Sequence, residues 1–260
     1  MKIPLFQVDA FSDRPLKGNP AAVCPLDSWL PDELMQSIAA ENNLPETAFF
    51  VQRGDVFDLR WFTPTVEIDL CGHATLASAW VLFHRLAHPG SNIGFMTRSG
   101  MLSVTRHDNG LLALDFPSRP AGLCAIHTDL VTALGRVPSQ ILAARDYLVV
   151  YDSEEEIQSL KPDMTRLATV DRFAVIVTAP GASVDFVSRF FAPARGIPED
   201  PVTGSAHCTL IPYWSQRLGK SHLHARQISP RGGELFCEDR GERVSIAGHA
   251  ALYLEGTVHL

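Results

Sequence analysis

The sequence predicts an α+β protein of two pseudo-symmetric lobes, each a curved, mostly antiparallel sheet around one central helix. Three observations carry this. Strand-like segments outnumber helical ones and follow one another through turns, so the βαβ alternation of a doubly wound sheet is missing. Only two helical segments are long and apolar, one in each half, ending near Arg85 and Gly219. The approaches to those helices are alike: FTPTVEIDLCGHATLASAW (62–80) and FAPARGIPEDPVTGSAHCTLIPYW (191–214) share Phe-x-Pro, an acidic loop, Gly-x-Ala and an apolar helix ending in an aromatic residue.

The elements follow in order. IPLFQVD (3–9) alternates and reads as a strand, FSDRPLKGNP (11–20) as a loop, and AAVCPL (21–26) as a short strand. Pro31-Asp32-Glu33 opens a helix with its acids at the positive end. Asn42-Asn43 closes it, and Pro45 prevents its continuation. AFFVQ and DVFDLRWFT (55–63) read as a hairpin. After the helix of 72–85, strands run through FMTRSG, MLSVTRH and LLALDFP, with Asp108-Asn109-Gly110 as a hairpin turn. The second half begins with a helix, HTDLVTALG, a strand, RDYLVVYD, and a helix, SEEEIQSL. A helical turn at 165–170 and the strands FAVIVTAP and VDFVSRFFAP come next. The helix of 204–219 and four closing strands complete the chain. The expected lobes are 1–118 and 119–260, with closing strands from the C-terminus able to return to the first.

Hydrophobic residues make up 46% and charged residues 20%, enough for a real core. The net charge of −7 and the lack of a Lys/Arg cluster disfavour a nucleic-acid partner. MKIPLFQVDAF alternates where a signal peptide would be continuously apolar, and no apolar run is long enough to span a bilayer. Five scattered cysteines suit reduced thiols, so the expected location is the cytoplasm, with no membrane partner.

Gly72 and Gly204 stand at the two helix starts. The first N–H groups of a helix lack internal partners and point, with the dipole, at whatever lies in front. Two readings stand. A nearby Ser205, Thr or Asp caps the donors, or the starts bind a carboxylate or an enolate-like charge. Cys71-x-His73, His207-Cys208 and His222-x-His224 lack the spacing of a zinc site, so no metal is expected; Cys208 reads as core and the His222/His224 pair as one solvated face. Thr203-Gly204-Ser205-Ala206 lacks the Gly-x-Ser-x-Gly elbow of a serine hydrolase. Glu46 enters an apolar strand, where desolvation prepares a carboxyl group to carry a proton; a solvated loop acid or a cap is the other reading. Asp200 sits beside Glu199, a like charge, and near a helix start, which act in opposite directions. Gly18-Asn19-Pro20 and Arg231-Gly232-Gly233 read as turns, the second also able to line a carboxylate pocket.

Taken together, DAFSDRPLKGNPAAV, NNLPETAFF, FTPTVEIDLCGHATLASA, EDPVTGSAHC and QISPRGGEL resemble the phenazine-biosynthesis PhzF-like family, in family order over almost the whole chain. That family is similar in fold to diaminopimelate epimerase and proline racemase. The resemblance implies an active site in the cleft between two lobes, a homodimer, and a cofactor-independent proton shift of the kind performed on dihydro-hydroxyanthranilate. It implies Glu46 as acid/base, with His73, Asp200 and Ser205 accompanying it and Gly72 and Gly204 supplying backbone donors. The related racemases place a thiol before each Gly. This chain has Cys71 in the first half and Thr203 in the second, and a threonine hydroxyl is far too weak an acid to replace a thiolate. The expected function is therefore an isomerase acting on a small carboxylated, amino-bearing substrate, with Glu46 as the proton carrier and Cys71 and Thr203 lining the substrate. The alternatives are an epimerase using Glu46 and Cys71 as unlike bases, and a non-catalytic small-molecule-binding protein of the same fold.

Overall fold

A computed structural model describes residues 1–260. The chain divides into two compact units, 1–115 with 247–260, and 116–246. The break therefore falls at 115/116 rather than 118/119, and the last strand belongs to the first unit.

In the first unit, β1 (Lys2–Ala10) leads through the turn-rich loop to β2 (Asn19–Leu26), α1 (Asp32–Asn42), β3 (Glu46–Arg53) and β4 (Val56–Phe62). The two-residue β5 (Glu67–Ile68), α2 (Gly72–His84), β6 (Asn92–Thr97), β7 (Gly100–Arg106) and β8 (Leu112–Pro117) follow. The pairings β1–β2, β3–β4, β6–β7 and β7–β8 are antiparallel. β2–β3 and β4–β6 are parallel. Each parallel step carries a helix in its connection, α1 in one and α2 in the other, because parallel neighbours need a crossover. Turn signals alone do not reveal those two steps.

α2 is buried from Gly72 to Phe83 except at Trp80. A helix apolar on all sides must be enclosed, and residues such as Leu76 and Leu82 each contribute roughly 1.5–3 kcal/mol by leaving water. Its buried hydroxyls are satisfied within the helix: Thr75 donates to the Cys71 carbonyl and Ser78 to that of Ala74. α1 covers a separate cluster with Met35, Ile38 and Ala39 against Cys24, Phe49 and Phe62.

The second unit repeats the plan. α3 (Thr128–Leu134), β9 (Gln140–Ala143), β10 (Tyr147–Val150), α4 (Glu154–Ser159), α5 (Met164–Leu167), β11 (Val175–Pro180) and β12 (Phe186–Ala192) come first. β13 (Ile197–Asp200), α6 (Gly204–Leu218), β14 (His222–Gln227), β15 (Gly233–Asp239) and β16 (Arg243–Gly248) follow. β10–β11 is parallel, β11–β12 antiparallel, β12–β14 parallel and β14–β15 antiparallel. This is the sequence of steps from β2 to β7, with β13 on β12 as β5 is on β4 and α6 in the place of α2. β17 (Ala250–His259) then pairs with β1 in the first unit.

α6 contains Pro212, which has no N–H for the Cys208 carbonyl one turn back. The Arg119 N–H fills that place at 2.8 Å. Trp214 stacks on Phe186 with ring centres 5.6 Å apart and donates its indole N–H to Thr178.

Candidate functional site

Each unit presents one group of the expected site residues, and each group is built at the start of the long helix. In the first unit the short β5 carries the chain to Cys71, whose extended backbone ends at Gly72, the first residue of α2. Glu46 opens β3 opposite Ala21 of β2. Asn19, two residues before Ala21, lies on the same face of β2.

Four buried side chains converge here. Glu46 Oε2 is 2.9 Å from His73 Nε2. On the other side of the ring, Asn19 Nδ2 lies 3.2 Å from Nδ1 and Cys71 Sγ lies 3.5 Å from it. Asn19 is 0% exposed, and Glu46, Cys71 and His73 are each 6–7% exposed. Glu46 is thus a buried carboxylate with a base beside it, not a solvated loop acid. The Glu46–His73 contact is close but poorly aligned as a hydrogen bond.

Burial works against a charged His73 ring, and the charges of Cys71 and Glu46 work for it; with both charges present the group is pushed well above the ordinary histidine range. Burial, then the Glu46 charge, pushes the Cys71 thiol up. A thiol that keeps its proton carries no charge near neutrality, so the charge acting on His73 there is that of Glu46.

A carboxylate oxygen, a thiol and an imidazole nitrogen lie within 4.8 Å of one another, a donor set that neighbour spacing along the chain does not reveal. Their directions matter. Glu46 meets Nε2 while Cys71 meets Nδ1, and the lone pairs of the two ring nitrogens diverge. One ion could use only one of them without a rotation of the ring. The arrangement suits a chain of proton donors and acceptors better than a cage.

Neither long helix is capped by a side chain. The short helices α3, α4 and α5 are capped, by His127, Ser153 and Asp163. Ordinary capping chemistry is therefore present in this chain but not used at α2 and α6. Ser205 is no cap: its hydroxyl accepts from Arg145 at 3.3 Å, and Arg145 also grips the buried Asp146.

In the second unit, Thr203 occupies the place of Cys71 and donates its hydroxyl to Asp200 Oδ2. Gln227, 1% exposed, holds both. Its carbonyl accepts from the Thr203 N–H at 2.8 Å, and its amide donates to the Asp200 carbonyl at 2.8 Å and to Thr203 Oγ1 at 3.2 Å. Arg189 takes Glu199 with two hydrogen bonds of 2.7 and 3.0 Å. The alternation of β13 turns Glu199 and Asp200 to opposite faces. His207, fully buried one turn into α6, donates from Nδ1 to the Thr203 carbonyl. Burial drives it down to about 4, against that hydrogen bond, so it is neutral.

Among the remaining sites, His222 and His224 share one face of β14. His224 stacks on Phe236 and pairs with Glu234. Cys208 is a buried thiol pushed up to about 11 by burial. Sequence reasoning missed Asn19 and Gln227. The signal for Asn19 was the Gly18-Asn19-Pro20 motif, read only as a turn. Gln227 opens the QISPRGGEL motif, but nothing near it there marks its partners, which lie 24 and 27 residues away.

No helix is long and apolar enough to cross a membrane. Residues 8–256 match the family model described as phenazine biosynthesis-like protein. The chain is 56% identical over 260 residues to an uncharacterized isomerase of Pseudomonas aeruginosa, covering 100% of both. A crystal structure of a PhzF-family phenazine biosynthesis protein from Enterococcus faecalis matches with a TM-score of 0.98 and 48% identity, over 100% of each chain. A predicted epimerase of Pseudomonas aeruginosa, 21% identical over 98% of this chain and 99% of its own, shares the fold at a TM-score of 0.77.

Proposed function

The chain belongs to the phenazine biosynthesis-like PhzC-PhzF family, and on that premise we propose that it is an isomerase that moves a proton within a small carboxylated, amino-bearing substrate, with Glu46 as the carrier. The observation that carries this is the buried Glu46–His73 pair, 2.9 Å apart, at the mouth of an uncapped helix. A carboxylate removed from water can take a proton from carbon and return it to another carbon. His73 steadies it, and the N–H groups following Gly72 offer hydrogen bonds to charge that develops on the substrate. In the second unit, the start of α6 at Gly204, with Ser205 and the Thr203–Asp200 pair beside it, is proposed to hold a carboxylate or amino group. The relatives named as isomerases support the reaction class.

The test is solvent exchange. Incubated in D₂O with a panel of cyclic and linear amino acids, the protein should place deuterium on carbon of a turned-over substrate, and Glu46→Gln should lower that rate by about 100-fold or more. A folded Glu46→Gln protein with full exchange overturns the reading.

The Cys71–His73 contact of 3.5 Å favours one rival, an epimerase in which Cys71 is a second base. The upward push on its thiol weighs against it.

A further inference from the structure

Two groups able to donate a hydrogen bond face Nδ1 of His73. One is the Asn19 amide at 3.2 Å. The other is the Cys71 thiol at 3.5 Å. An amide N–H and a protonated thiol both seek a lone pair. Nδ1 offers one only if it carries no proton. The ring's remaining proton is then on Nε2, which faces Glu46 at 2.9 Å.

The Glu46 charge pulls the other way, toward a ring protonated on both nitrogens. That form sets an N–H of the ring against the N–H of Asn19, in a place where Asn19 is 0% and His73 6% exposed. Turning the amide would present its oxygen and reverse the outcome, so the two amide orientations make opposite predictions.

The backbone holds Asn19 close. Gly18 has φ +66°, and a Cβ there would lie 2.2 Å from the Ala10 carbonyl oxygen. Asn19 pairs with Ala10 across the β1–β2 ladder, one residue after that tight approach.

We propose that Asn19 is a positioning residue: its amide donates to Nδ1 of His73 and keeps the ring's single proton on Nε2, turned toward Glu46. The inference rests on the reading of Glu46 and His73 as the proton-handling pair, but its test needs no turnover. It has a chemical consequence. The Nε2 proton is held on the side of Oε2 of Glu46, and the other carboxylate oxygen is left to take and return the substrate proton. Cys71 meets a nitrogen that already holds an amide hydrogen, so the ring is a poor base for the thiol. Fixing a histidine tautomer through the nitrogen remote from the working one is how outer partners tune such rings.

The experiment is ¹⁵N NMR of the full-length protein labelled at histidine, near neutral pH, with the His73 signals identified by their loss in His73→Gln. The expected spectrum shows a bare, pyridine-type Nδ1 and a protonated, pyrrole-type Nε2. In Asn19→Asp a carboxylate replaces the donor, and both nitrogens should become protonated. In Asn19→Leu the donor is removed at similar volume, and Nδ1 should move toward the protonated position. A wild-type ring protonated on both nitrogens, or on Nδ1 alone, overturns the proposal, as does an Asn19→Leu spectrum equal to wild type. If either variant fails to fold, the wild-type spectrum decides. The expected tautomer together with full exchange in Glu46→Gln would defeat only the functional reading; the wrong tautomer with lost exchange would defeat only this one.

Discussion

Thr203 donates a hydrogen bond from its hydroxyl to Oδ2 of Asp200 at the place in the repeat where Cys71 stands against the ring of His73. The second position is therefore not an empty thiol site. Its hydroxyl is already committed, and Gln227 secures both it and the backbone around it. Thr203→Val keeps the shape and removes the donor. A hydrogen bond to a charged group contributes about 1.5–3 kcal/mol, so stability in urea unfolding should fall by about that much. Thr203→Cys should not create a racemase, because Asp200 and the buried surroundings leave the new thiol protonated. Inversion of an enantiopure substrate, followed by circular dichroism, checks this; rapid inversion by Thr203→Cys contradicts it.

Cys71→Ser separates one-base from two-base chemistry. The side chain is buried and its thiol is pushed up by burial and by the Glu46 charge. If Glu46 alone carries the proton, the serine variant should keep exchange within about threefold, since a hydroxyl donor to Nδ1 replaces the weaker thiol. Loss of exchange by two orders of magnitude would instead make Cys71 a base and the protein an epimerase.

Much of this was legible in the chain and some was not. Glu46, His73 and the glycines at both helix starts stand in short local patterns, so their placement could be read from neighbours. The repeat was visible as Phe-x-Pro followed by Gly-x-Ala, but its strongest marker went unread. LRWFTP and SRFFAP both place Arg two residues before the Phe, and Glu67 and Glu199 both stand five residues before the helix-start glycine. Those arginines grip those glutamates across adjacent strands. The parallel steps, the Gln227 clamp and the role of Asn19 depend on pairings between distant segments, for which no local pattern exists. The acidic pair at 199–200 is divided in the fold, because adjacent residues of a strand face opposite sides.

The paired arginines make a prediction of their own. Arg60 donates to Glu67 at 2.7 and 2.8 Å and to Asp32 at 2.9 Å, and it stacks over Trp29 and Phe62. Arg189 holds Glu199 and two carbonyls, those of Ile157 and Leu160, at 3.0 Å. Lysine keeps the charge but cannot reproduce the fork. Arg60→Lys and Arg189→Lys should each lower stability by roughly 2–3 kcal/mol in urea unfolding. A loss below about 0.5 kcal/mol, the range of an exposed ion pair, would show that the fork does not anchor the strand.

Gly18→Ala tests the tight turn before Asn19. The new Cβ meets a backbone oxygen that cannot move aside, and the positive φ disfavours any L side chain. The expected loss is about 2 kcal/mol or more, with the His73 ring signals displaced because Asn19 follows directly. A variant as stable as wild type would mean that the β1–β2 connection yields easily and does not fix Asn19.

His207 sets the response of the second unit to acid. Burial holds it at about 4 in the folded protein, while an unfolded chain returns it to near 6.5. Because the folded value is the lower one, the unfolded state binds more protons between the two. The stability due to the neutral ring is fully present above pH 6.5 and is lost as pH falls toward 4. Across that window the whole effect approaches about 3 kcal/mol, and roughly 2 kcal/mol of it is gone by pH 5. His207→Asn keeps an N–H near the place of Nδ1 for the Thr203 carbonyl and removes the titration. Urea unfolding at pH 7.5 and pH 5 should then show wild type losing about 2 kcal/mol more than the variant. Equal losses in both proteins would place the acid sensitivity elsewhere, in carboxylates such as Asp185, which Lys220 and the His224 N–H hold below the ordinary range against its burial.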